Sequence, residues 1–339
     1  MNHVVSRCAA CGIELAPGML ACPACRKLVH GARLAALAAD GETAEREGRF
    51  TDALTDWREA LDLLPPGSTQ HRVVGETIRR VGLALEQTGN TPKSQGGRAK
   101  AVAGVGAVAL VAWNLKYFLL SLLGKAKLLV SGLASLPTLL SMFAWLALDR
   151  SRGISFALGL VVSIYVHEMG HVSALRLYGI QATAPMFVPG LGALVRMKQY
   201  PIDAREDARV GLAGPVWGCA AAVIALVAGL VLKDRTMLAV ASVGATINVF
   251  NLVPVWQLDG ARGFRALDTR QRGIVLTIAA LAALLSGDVM GWVVCAAGSL
   301  RLKRDLPPEG DGRAFRTFAG LLVALSAIAW AAGKAAPPG

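Results

Sequence analysis

Five residues near the middle of the 339-residue chain, His167-Glu168-Met169-Gly170-His171, have the types and spacing for metal chemistry. Two histidines four apart lie on one face of a helix, so both imidazoles can reach one metal ion. The glutamate after the first histidine stands beside that metal, where it can take a proton from a water that the metal activates. The surrounding run, residues 153–175, is otherwise apolar. Each ionisable group placed inside such a run costs about 2–3 kcal/mol on insertion into a membrane, so three within five residues call for a compensating function. Metal ligation supplies one.

Two histidines leave a zinc ion short of a ligand, because catalytic zinc sites use three protein ligands and keep one position open. The third donor should be Asp, Glu or His near the same membrane face. Asp259 stands out, at the end of Asn248-Val-Phe-Asn251-Leu-Val-Pro254-Val-Trp-Gln-Leu258-Asp259-Gly260, directly after a 23-residue apolar run. Pro254 interrupts helical hydrogen bonding there, and Gly260 permits a turn that aims the carboxylate inward. Asn251 is expected to orient either the substrate backbone or the ligand-bearing loop.

A second set of metal-binding residues lies near the amino terminus. Cys8-Ala-Ala-Cys11 and Cys22-Pro-Ala-Cys25 are two CxxC pairs separated by ten residues. Two such knuckles let four thiolates converge on one tetrahedral zinc ion, with Gly12 taking the turn after the first. A four-cysteine site is closed, so it folds the segment and catalyses nothing. Residues 1–30 carry no apolar signal region, which argues against an oxidising compartment and two disulfides. Cys219 and Cys295 stand alone in apolar runs and read as small buried hydrophobes.

The elements that hold these residues follow from composition. The chain is 54% hydrophobic and only 17% charged, where soluble domains carry about 25% charged residues. Residues 1–100 hold 13 Lys+Arg and 11 Asp+Glu, an ordinary soluble balance, while residues 101–339 hold 22 and 12 in mostly apolar sequence. The net charge of +12 therefore points to membrane orientation rather than to nucleic acid. Apolar runs at 128–148, 153–175, 210–232, 236–258 and 317–333 have the length of membrane spans. Residues 273–300, interrupted by Gly287-Asp288, read as a pair of short helices or one broken span, and 101–124 as interfacial or re-entrant. Basic residues cluster at 176–209, 261–272 and 301–316, which should be cytoplasmic. Both ends bearing the polar motifs then meet near the cytoplasmic face.

The remaining segments are more local. Residues 1–30 form the expected zinc ribbon, and 88–100 a polar Gly/Pro/Lys linker. Between them, residues 31–87 read as helical. Gly48, Phe50, Ala53, Leu54, Trp57, Ala60, Leu61 and Pro65 fall at the spacing of the second helix of a tetratricopeptide repeat, with Gly41 and Ala44 in the first. One repeat cannot bury its apolar face alone, so it must pack on the 69–87 helix, on the ribbon or on a partner such as a cytoplasmic regulator. Residues 184–197 are apolar but rich in Pro and Gly. Irregular backbone at membrane depth is tolerated where it lines a cavity, which suggests a re-entrant hairpin beside the active site. Its free edge, around Gly192, could pair with an unwound substrate strand.

These motifs together resemble the site-2 protease family of intramembrane zinc metalloproteases. His167-Glu168-x-x-His171 matches the family's HExxH, and Asn251-x-x-Pro254-x-x-x-Leu258-Asp259-Gly260 its NxxPxxxLDG. Ala213-Gly214-Pro215 resembles the small-residue motif of the intervening helix. The resemblance covers about residues 125–265 of a membrane domain read as 101–339. It implies zinc held by His167, His171 and Asp259, Glu168 as general base, a membrane-inserted hairpin, and substrate contacts at Asn251, Pro254 and Gly192. It also implies hydrolysis of a peptide bond in or near the transmembrane helix of another protein, at a cell inner membrane. Two positions depart from the pattern: Ala261 where a second Gly is frequent, and Val216-Trp217-Gly218 where a polar residue often follows Gly-Pro. The three-residue loop 233–235 leaves no room for a PDZ-like insert.

The expected fold is thus an all-α polytopic membrane protein. A site-2-protease-like helical core with a re-entrant hairpin follows a small zinc ribbon and a helical hairpin. The expected cofactors are two zinc ions, one catalytic and one structural. The competing readings are a catalytically silent membrane scaffold that docks partners through the amino-terminal domain, and a metal transporter. Intact His167, Glu168, His171 and Asp259 argue against the first, and the lack of a polar path through 210–232 and 317–333 against the second.

Overall fold

A computed structural model describes residues 7–90, 153–181, 186–188, 192–194 and 199–335. The expected spans at 101–124 and 128–148 and most of the 88–100 linker lie outside the described residues.

The amino-terminal ribbon is built from one turn used twice. Gly12 N–H donates to the Cys8 carbonyl and Arg26 N–H to the Cys22 carbonyl, both at 2.9 Å. Each knuckle ends on a residue of positive φ, Gly12 at 71° and Arg26 at 58°. A left-handed residue at that point turns the chain back, and bridges Arg7–Glu14 and Ala21–Leu28 close the two loops.

Three helices follow: α1 (Gly31–Arg46), α2 (Phe50–Asp62) and α3 (Thr69–Asn90). α3 runs to Asn90, three residues into the segment read as linker. Leu37, Ala44, Leu54, Trp57, Ile78 and Val81 are buried in one cluster. That cluster also contains Leu175, Tyr178, Ile180 and Val210 from the apolar part of the chain. The repeat-like unit therefore buries its face against α3 and against the chain's own membrane domain.

The membrane domain contains α4 (Gly153–Leu177), strands β1 (Met186–Val188) and β2 (Gly192–Leu194), α5 (Ala204–Leu232), α6 (Arg235–Asn251), α7 (Asp259–Arg265), α8 (Thr269–Ser286), α9 (Val289–Leu300) and α10 (Gly312–Ala335). Among the described residues, α4, α5 and α10 are long and apolar enough to cross a membrane, with 25, 29 and 24 residues. At 1.5 Å per residue each exceeds the roughly 30 Å hydrocarbon layer. The chain is an all-α polytopic membrane protein whose described strands are one short hairpin. β1 and β2 pair antiparallel with Phe187 opposite Ala193 and Val188 opposite Gly192.

Acidic caps start α5, α6, α8 and α9. Asp203 accepts from Glu206 N–H at 2.8 Å, Asp234 from Thr236 N–H at 2.7 Å, and Asp288 from Met290 N–H at 3.0 Å. Asp268 and Gln271 form a reciprocal capping box. Gly287-Asp288 resolves the interrupted 273–300 run into the helical pair α8–α9, Gly287 ending one helix in the left-handed conformation and Asp288 capping the next.

One expected element differs. The run 236–258 is not a continuous 23-residue span: α6 ends at Asn251, and α7 starts at Asp259. Pro254 has no N–H to continue the ladder, and the chain turns through Val255–Leu258, with Leu258 N–H donating to the Val255 carbonyl at 3.2 Å. This break brings Asp259 back toward α4.

Candidate metal centre and active-site cleft

α4 buries His167, Glu168 and His171 together, at 4%, 8% and 7% exposure. Their helix offers two imidazoles on one face, and the α6–α7 break supplies a carboxylate opposite them. His167 Nε2 lies 3.0 Å from Asp259 Oδ2, and His171 Nε2 lies 3.2 Å from Asp259 Oδ1. The two Nε2 atoms are 3.2 Å apart. These separations are close to the roughly 3.3 Å expected between neighbouring ligands of a tetrahedral ion with 2.0 Å bonds.

The outer nitrogens decide which way the lone pairs point. His171 Nδ1 is 2.8 Å from the Val210 carbonyl oxygen. A carbonyl only accepts, so Nδ1 carries the proton and Nε2 presents its lone pair. His167 Nδ1 is 2.8 Å from Asn248 Oδ1, and Asn248 Nδ2 donates to the Gly244 carbonyl at 2.8 Å. With its amide nitrogen committed, Asn248 accepts from His167 in the same way. Two lone pairs and a carboxylate thus face one another with no donor among them. The chemistry of this set fits a cation, and the two nitrogens with one carboxylate oxygen fit zinc.

Helix α5 makes room for this arrangement. A Cβ at Gly214 would overlap His171 Nε2 and stand 2.7 Å from His167 Nε2. A Cβ at Gly218 would overlap the Asn248 side-chain amide. The Gly214/Gly218 pair receives the imidazoles and the amide that orients one of them.

The centre opens into a cleft of about 760 Å³ whose lining includes Glu168, Asp207, Asn251, Trp256, Asp259 and Arg262. Asn251 lies on the cleft wall. Pro254 does not: it is buried outside the lining residues and acts on the backbone by ending α6. Gly192 sits in β2 opposite Val188, on the hairpin that follows α4.

Comparison with known proteins supplies the family. Residues 155–240 match the family model of Peptidase family M50. These residues carry a Peptidase family M50 domain. The matched stretch includes His167, Glu168, His171 and Gly214 and ends before Asp259, whose carboxylate meets the two histidines in the structure. The Arabidopsis thaliana protein "Probable zinc metalloprotease EGY2, chloroplastic" is 27% identical over 205 residues, 46% of this chain and 37% of that protein. The Methanocaldococcus jannaschii protein "Zinc metalloprotease MJ0392" is 26% identical over 119 residues, 34% of each chain. The chain thus spans about a third of the length of these relatives. No solved structure matches it.

Two residues of the centre escape a motif reading. Val210 acts through its backbone, so its residue type carries no signal. Asn248 carried one: an amide within an apolar run has to find a partner, and here that partner is His167.

The amino-terminal cysteines form a second, separate centre. Cys8 Sγ lies 3.6 Å from Cys25 Sγ, and Cys11 Sγ lies 3.6 Å from Cys22 Sγ. All four sulfurs lie within 4.8 Å of one another, a compact set compatible with one ion. Backbone N–H groups of Ala10 and Cys11 pull the Cys8 thiol down to about 6, and those of Cys25 and Ala24 lower that of Cys22. Desolvation and the neighbouring thiols push that of Cys11 up, so the backbone favours the thiolate at Cys8 and Cys22.

Proposed function

We propose that this protein is a zinc metalloprotease of the site-2 type, hydrolysing a peptide bond in or near the transmembrane helix of a membrane-bound protein. The observation that carries the reading is the convergence of His167 Nε2, His171 Nε2 and the Asp259 carboxylate, with both outer histidine nitrogens committed as donors. His167, His171 and Asp259 would hold the ion, and Cys8, Cys11, Cys22 and Cys25 a structural one. Bound zinc supplies Lewis acidity toward a peptide carbonyl and makes water a nucleophile at neutral pH.

The chain's own groups do the rest. Glu168 is buried beside the ligands and reaches the cleft, where it accepts a proton from the attacking water and returns it to the departing amine. Asn251, on the cleft wall, is placed to hold the substrate backbone. The β1–β2 hairpin offers an edge for an unwound substrate strand. The end of the bundle that carries Arg262, Arg265 and the amino-terminal helices is assigned to the cytoplasmic side of a cell inner membrane, because basic residues concentrate there.

The test is cleavage in proteoliposomes that contain purified protein and a panel of single-span proteins. The wild type should release fragments cut within or beside the span, and Glu168→Gln should release them at least about 10²-fold more slowly while keeping its zinc. Cleavage at the wild-type rate by Glu168→Gln would overturn the reading.

A further inference from the structure

One stripe of α5 links the amino-terminal helices to the metal centre. Glu206, Val210, Gly214 and Gly218 follow at intervals of four and share a slowly turning face. Gly214 and Gly218 receive the imidazoles and Asn248. The Val210 carbonyl fixes His171. Glu206, one turn earlier, is paired with Arg58 of α2.

That pair is buried, with Arg58 at 2% and Glu206 at 6% exposure. Arg58 Nε also donates to the Tyr178 carbonyl at 2.8 Å, just beyond the end of α4. Glu206 in turn accepts from Ile202 N–H at 3.2 Å. One guanidinium therefore ties the end of the histidine-bearing helix to the start of the helix that orients His171. Further bonds seal the contact. Thr51 Oγ1 donates to the Leu177 carbonyl at 3.1 Å, and Tyr178 Oη to Glu86 at 2.8 Å. Arg209 bridges Glu86 at 3.0 Å and Asp311 at 2.8 Å. Gly179 lies so close to α2 that a Cβ there would stand 2.7 Å from Thr55 N. Val210 itself is buried in the apolar cluster shared with Leu54, Trp57 and Ile78.

We propose that the docked α1–α3 unit is a positioning element of the metal centre: Arg58, through Glu206 and the Tyr178 carbonyl, holds the α4–α5 junction so that the Val210 carbonyl keeps His171 oriented toward the ion, and undocking the unit loosens the ion and lowers activity. The inference rests on His171 being a zinc ligand. Buried charges in the contact make docking an all-or-none matter, since either partner left alone is strongly disfavoured. A signal acting on the amino-terminal helices would then reach the centre through one helix turn. Loss of an interaction that orients a ligand typically costs 10- to 100-fold in metal affinity.

The experiment uses full-length protein in detergent, with zinc counted after a timed challenge with EDTA. His171→Ala is the control and should leave the ribbon's ion only; if it leaves two, His171 is no ligand and the proposal falls with the reading of the centre, whereas one ion left in this control and a wild-type rate of loss in the undocked variants would sink the coupling alone. Arg58→Glu opposes Glu206 and should undock α1–α3, seen as faster hydrogen exchange in residues 31–90. It should also speed loss of the membrane-domain zinc by about tenfold or more. Arg58→Glu with Glu206→Arg restores the ion pair but not the bond to the Tyr178 carbonyl, so it should recover part of both measurements, which a general destabilisation would not allow. Gly179→Leu places a side chain against the α2 backbone and undocks from the opposite side, should Arg58→Glu fail to fold. Undocking with zinc release at the wild-type rate would overturn the proposal. So would unchanged docking and zinc retention in both variants, because Arg58 would then hold nothing.

Discussion

The two candidate metal centres of this chain are built by opposite strategies. The ribbon draws four thiols from 18 consecutive residues, Cys8 to Cys25, by repeating one turn. The membrane-domain centre joins residues 92 positions apart, His167 and Asp259, and needs α4, α5, α6 and α7 in register before any ion is held. Four ligands from a short loop close a site. Three ligands from two helices leave room for Glu168 and a cleft. The difference in construction is a difference in use: local geometry suits folding, and assembled geometry suits chemistry.

The largest expected effect belongs to the residue that only the assembled centre has. Glu168→Gln should cut turnover by about 10²- to 10⁴-fold with both zinc ions still bound, measured by fragment release and by metal analysis of the same preparation. Next is Asp259→Asn, which keeps the shape and removes the anionic oxygen. It should lose the membrane-domain zinc, while Asp203→Asn should keep it. Retention of that ion by Asp259→Asn would dissolve the contrast between local and assembled centres. Gly214→Ala should behave like Asp259→Asn, because the added methyl takes the imidazoles' space. Asn248→Ala should weaken the same ion by 10- to 100-fold, read by chelator competition. Smallest at the membrane centre is Cys22→Ser. It should release one zinc and unfold residues 7–30, yet leave the rate of membrane-domain zinc loss unchanged. These metal counts are best made on the full chain, since removing residues 31–90 would bare the apolar cluster around Tyr178 and Val210.

The same contrast explains what could be read from sequence. The cysteine knuckles and the HExxH pair announce themselves because their spacing is their geometry. Asp259 was legible for another reason: a carboxylate directly after an apolar run, beside Pro254 and Gly260, has few other uses. Helix lengths were less legible. The 236–258 run looked like one span because hydropathy does not register a missing N–H, and the backbone stops at Asn251. The partner of the repeat-like helices was invisible, since it consists of residues such as Leu175 and Val210 that are ordinary apolar residues until the fold brings them together. Asn248 lay in plain view three residues before Asn251, but only the packing of α6 against α4 shows that it serves a histidine.

Gly214 has a consequence for how such chains are sorted. An intact HExxH and a distant Asp are usually taken as the marks of a working centre. Here a single hydrogen atom in place of a methyl group, on a helix that supplies no side-chain ligand, decides whether the two imidazoles fit. A chain that keeps His, Glu, His and Asp but bears alanine at this position would look competent by its ligands while having no space for them. The position with nothing on it is therefore as good a marker of an active member as the residues that bind.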